Sequence, residues 1–181
     1  MTRTTLAKAA LAAALLTSAA ALAPAQAQQS QLTAPELNIL LGATYGNTNG
    51  LQLSQIGAQQ AQAPQVRAYA QRSIEQTEQA ITDLKALAEK VGVQLPAAPS
   101  EGAQRQVHER LKQAQGRDFD VQYMKLASEG LSVALAAHTN APQVVENEQL
   151  DDYARKYAPR LVTALQEAEN ILQQLEKSSG G

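Results

Sequence analysis

The chain has 181 residues with no Cys and no Trp, 15 Lys and Arg against 17 Asp and Glu, and a formal net charge of −2. Without Cys there is no disulfide framework, thiolate zinc site or thiol chemistry. A nearly balanced charge with no basic cluster also lacks the electrostatic footprint of a nucleic-acid binder.

Only 3% of the residues are aromatic, and the strong helix formers Ala, Leu and Gln dominate. No stretch alternates apolar and polar as a half-buried strand does, so the fold class is all-α.

The chain opens Met1-Thr2-Arg3 with Lys8 close behind, runs through small and apolar residues from Ala9 to Ala23, and reaches Ala25-Gln26-Ala27. A basic start, a short apolar stretch and small residues at a cut form the pattern of a secretory signal peptide. The apolar run falls short of the roughly 20 residues a membrane span needs. Residues 1–27 are therefore expected to be cleaved after Ala27, which leaves 13 basic against 17 acidic residues. No Cys follows the apolar run, so the expected product is unlipidated, without a membrane-spanning segment, and periplasmic or secreted. Residues 28–34 are expected to form a flexible lead, 35–177 a single helical domain and 178–181 a flexible tail.

Thr33 is placed to cap the first helix, with Pro35 and Glu36 in its first turn. Leu37, Leu40 and Leu41 lead into Gly42, Gly46, Asn47, Asn49 and Gly50, weak helix formers that predict either tight packing through small residues or a local break. The helix is expected to end near Pro64, which starts the next. There Val66, Ala70, Ser73, Thr77, Leu84, Ala88 and Val91 make a stripe of near-heptad spacing, closed by Gly92. A stiff Leu95-Pro96-Ala97-Ala98-Pro99 link and a Ser100 cap lead to a short polar helix from Glu101 to about Ala114.

Asp118 is expected to cap the central helix, on which Phe119, Tyr123, Leu126, Gly130, Ala134 and Ala137 share one face as far as His138. A last helix carries Leu150, Ala154, Tyr157, Leu161, Ala164, Ala168, Ile171 and Leu175 to about Lys177. Pro159 inside it predicts a kink. Four long helices with one short strut make a four-helix bundle.

Val66-Arg67-Ala68-Tyr69-Ala70-Gln71-Arg72, Leu84 to Ala88, Val93 to Pro96, Phe119-Asp120-x-x-Tyr123, and Tyr153-Ala154 with Ala158-Pro159-Arg160-Leu161 occur in an order that resembles the domain of unknown function 4142 family. The resemblance covers roughly residues 36–172 and implies a bacterial exported protein, of the kind labelled outer membrane protein, with a ferritin-like bundle. It also implies inward His on three helices and an acid on the first. Those positions fall at Gly50 or Gln52, Thr77, Leu131 and Ala164, none a strong metal ligand. Phe119, Asp120, Tyr123 and Pro159 remain as a structural signature.

No cofactor or catalytic residue is identified. His108 reads as a surface residue of the strut. His138 reads as a helix-end residue whose imidazolium would favour the dipole. Glu75 with Glu78, Asp151 with Asp152, and Glu167 with Glu169 are carboxylate pairs able to offer oxygens to a hard cation, but they fall off the apolar stripes and read as solvated faces. Tyr69, Tyr123, Tyr153 and Tyr157 read as buried rings with bonded hydroxyls, Asp120 being a candidate acceptor. No Gly-x-Ser-x-Gly element or phosphate loop occurs.

The leading expectation is a non-enzymatic, exported bundle that acts in the cell envelope by contact with a protein or cell-wall component. The alternative is a metal-binding or redox bundle with ligands relocated to Glu75, Glu78, Glu129 or His138. A third reading, a small-molecule carrier, requires a cavity near Thr77, Leu131 and Ala164.

Overall fold

The computed structural model of the protein describes residues 32–96 and 101–177. The predicted leader, most of the lead, the Ala97–Ser100 link with its cap, the tail and the His108 side chain lie outside the described residues.

Five α-helices account for the fold: α1 Ala34–Gln60, α2 Pro64–Val91, α3 Glu101–Leu111, α4 Gly116–Asn140 and α5 Glu148–Lys177. A single 3-10 turn, Ala141–Gln143, precedes α5, and there is no strand among the described residues.

The helix ends follow local chemistry. Thr33 precedes α1, with its N–H and its hydroxyl both donating to Glu36 at 2.8 Å in a capping box. Gly92 closes α2 at φ 71°, the left-handed conformation a glycine adopts without a Cβ penalty. α4 begins three residues earlier than expected. Gln115, not Asp118, is its N-cap, because Gly116 at φ 59° turns the chain into the helix and leaves Asp118 in the first turn.

The glycine-rich stretch of α1 is neither broken nor tightly packed. The helix runs through it while Thr44, Asn47, Thr48 and Ser54 donate to carbonyls one turn back, at 2.8 to 3.0 Å. A Cβ built at Gly42, Gly46 or Gly50 meets nothing within 4 Å among the described residues. The close approach is at Gly57 instead, where an added Cβ would lie 2.4 Å from the Tyr123 ring. α5 likewise remains one element through Pro159, although the carbonyl of Arg155 has no N–H to receive there.

α1 packs chiefly on α2, and α4 chiefly on α5, while α1 also meets α4 and α2 meets α5, closing a ring of four. Asp83 touches Tyr157, and Arg72 touches Glu167, so α2 and α5 are antiparallel. α2 and α4 run the same way and lie diagonally, so the chain crosses the bundle once between them. α3 belongs to that crossing and seats Val107 and Leu111 against α1 and α4.

The core falls into two apolar clusters. One gathers Phe119, Tyr123, Met124, Ile171 and Leu175 with Val66 and Tyr69. The other gathers Leu40, Leu84, Leu87, Val91, Leu150, Tyr153 and Tyr157 at the opposite end. Each fully buried large side chain contributes about 1.5–3 kcal/mol by leaving water.

Candidate functional site

The stretch between the two clusters holds the positions singled out by the family resemblance. Thr77 on α2 and Ala164 on α5 lie between the contacts Arg72–Glu167 and Asp83–Tyr157. Gly50 and Gln52 on α1 and Leu131 on α4 lie between the Gly57–Tyr123 approach and the Glu36–Asn147 bond. All five are half-buried, and they offer a metal one amide and one hydroxyl.

The carboxylates and the imidazole named as relocated ligands are not brought together. Glu75 and Glu78 are exposed on α2. Glu129 takes Arg110 at 2.6 and 3.1 Å, and the guanidinium holds its carboxyl below the usual range. His138 is only 8% exposed; its Nδ1–H donates to the Ala134 carbonyl at 2.8 Å, and its ring centroid is 5.8 Å from that of Tyr153. Burial pushes the imidazole pKa down, so the expected cation at this helix end is replaced by a neutral ring. Among the described residues, no three His, Cys, Asp or Glu side chains are grouped as a metal site. Asp151 pairs with Arg155 at 2.7 Å and Glu167 pairs with Arg72, while Asp152 and Glu169 face solvent.

Asp120 is buried, but it is not a tyrosine acceptor. Its two oxygens take the backbone N–H groups of Gln62 and Ala63 at 3.0 and 2.8 Å, so a carboxylate of α4 pins the connection between α1 and α2. Tyr123 is fully buried and its hydroxyl makes no well-formed hydrogen bond among the described residues; the Ser54 hydroxyl beside it donates to the Gly50 carbonyl and could accept only at poorer geometry. Its ring stacks on Phe119 at 6.3 Å and meets Tyr69 edge-on at 6.5 Å. Burial pushes both phenols up, Tyr69 to about 12.

The seam between α2 and α5 carries the densest polar chemistry, and its centre, Asp83, escaped the sequence reading. Its carboxylate accepts from Lys156 at 2.5 Å, the Tyr157 hydroxyl at 2.7 Å and Gln79 at 3.0 Å. The Lys156 and Tyr157 bonds outweigh partial burial and hold the carboxyl down at about 2. The Arg160 guanidinium lies over the Tyr157 ring, 5.2 Å from its centroid. No local spacing announces a bond between helices so far apart in sequence; an Asp on the margin of an apolar stripe is the one available signal.

A cleft of about 310 Å³ opens on one side of this cluster and one of about 270 Å³ on the other. Ala164 lines the first, but Thr77 and Leu131 line neither, so neither cleft is the cavity that the carrier reading places at those three positions.

A family model described as a domain of unknown function, DUF4142, matches residues 21–171. No curated protein and no solved structure matches the chain.

Proposed function

The chain belongs to the DUF4142 family, and from that premise we propose that it is an exported, non-enzymatic bundle of ferritin-like topology that acts in the cell envelope by contact with a protein or cell-wall component. The single crossing between α2 and α4 is the connection that ferritin-like bundles use. Export rests on the basic, apolar and small-residue order of residues 1–27. No described helix is long and apolar enough to cross a membrane.

The observation that carries a contact role is a surface without charge. From Leu37 to Gln60, and from Gly130 to Val145, there is no Asp, Glu, Lys or Arg. Tyr45, Val133 and Val144 are exposed in these two stretches, Val133 to 73%. Large apolar side chains on an uncharged face lose little on being covered and gain by leaving water.

N-terminal sequencing of protein recovered from a periplasmic fraction is expected to begin at Gln28. Val133→Lys is expected to reduce crosslinking to envelope components without unfolding the bundle. Stoichiometric iron, manganese or zinc in the purified protein, or retention of residues 1–27, would overturn the reading.

A further inference from the structure

We propose that the larger cleft between α2 and α5 is a binding site for a small organic carboxylate, anchored by the guanidinium of Arg160. The cleft, about 310 Å³, has the size of the smaller ligand sites of proteins. It lies between two polar clamps, Arg72–Glu167 and Asp83–Tyr157, which stand about 16 Å apart along α2. The site is independent of export and of any contact made by the uncharged face.

The two ends of this slot differ in charge. Arg72 is neutralised by Glu167, the one carboxylate in the lining. Arg160 meets no carboxylate among the described residues, whereas Arg110 and Arg155 each hold one. Its guanidinium instead rests on the Tyr157 ring, and that ring is fixed by its hydroxyl bond to Asp83. A stacked guanidinium keeps its in-plane N–H donors available, and their planar fork matches a carboxylate.

Gln76, exposed across the cleft, can supply a second donor from its side-chain amide. Ala164 and Pro159 give an apolar bed for a short chain behind the carboxylate. One uncompensated cation fits a monoanion better than a phosphate dianion, which would keep a net negative charge in the slot.

Backbone and side-chain NMR titration of the full-length protein with N-acetyl-alanyl-alanine, propionate and inorganic phosphate tests the site. Saturable shifts are expected with the two carboxylates, confined to residues 72–77 and 159–167. Tighter binding of the peptide identifies a chain terminus as the source, and equal binding a free acid. Arg160→Gln is expected to weaken binding at least tenfold, Gln76→Ala about threefold, and Lys85→Gln, elsewhere on α2, not at all. Absence of saturable shifts, equal affinity in Arg160→Gln with its helix content intact, or an equal response to phosphate overturns the proposal.

Discussion

Two buried carboxylates, Glu36 and Asp120, hold the bundle at its opposite ends, and both bond chiefly to backbone N–H groups. Asp120 fastens the α1–α2 connection to α4. Glu36 receives the Thr33 N–H and hydroxyl, and also the N–H groups of Glu146 and Asn147 at 2.8 and 2.7 Å, where α5 begins. Burial alone would raise its pKa, but the four bonds outweigh burial and lower it from 4.5 to about 2.

A carboxyl depressed in the folded state adds stability above its unfolded pKa and loses it as pH falls through the folded one. The Glu36 contribution is therefore complete above about pH 4.5 and lost towards pH 2. Glu36→Gln is expected to cost about 1–3 kcal/mol at neutral pH, since an amide cannot accept all four bonds. Urea unfolding between pH 5 and 2 should show a flatter acid limb in the variant, with a remaining slope from Asp83. An unchanged limb would mean that Glu36 does not titrate in this window.

At the scale of elements, the legible helices were those whose stripe and caps agree. α2 shows this best, with Pro64 at its start, a sustained stripe and Gly92 at its end. α1 was less legible because helix propensity says nothing about where a helix touches its neighbours. Gly42, Gly46 and Gly50 drew attention as a group, yet room for a Cβ remains at each, while the single Gly57 sits under a tyrosine ring. Similarly, the Phe119-Asp120-x-x-Tyr123 signature showed that these residues matter for structure, but the partner of Asp120 on the α1–α2 connection could not be read from spacing.

Two chemically identical substitutions in α1 should thus have opposite signs. Gly46→Ala is expected to stabilise by about 0.5–1 kcal/mol, the helix-interior difference between the residues. Gly57→Ala forces the Tyr123 ring to move and is expected to destabilise by about 1–3 kcal/mol. Thermal or urea unfolding of the pair reads the difference directly, and stabilisation by both would show that the ring gives way at no cost.

For the whole molecule, the decisive feature is that the two apolar clusters are joined by half-buried small and polar residues, Thr77 and Ala164 among them. Cooperative units of unequal stability arise where apolar contacts are interrupted. The end built on Phe119, Tyr123 and Met124 is also closed by α3, whereas the other end depends on Leu40, Leu84 and Leu150 and on the Asp83–Tyr157 bond across the seam.

Leu84, 1% exposed, is at the heart of that second cluster. Leu84→Ala is expected to cost about 2–5 kcal/mol through lost burial and the cavity left behind. Hydrogen exchange should show the loss mainly in residues 36–44, 80–91 and 150–157, with protection around Phe119 and Tyr123 reduced much less. Equal loss at both ends would show a single cooperative core, with the small-residue layer transmitting packing instead of interrupting it. Asp83→Ala provides a second probe of the same division: it removes the acceptor of Tyr157 without touching the cluster around Phe119, so its effect on exchange should also remain at the Leu84 end.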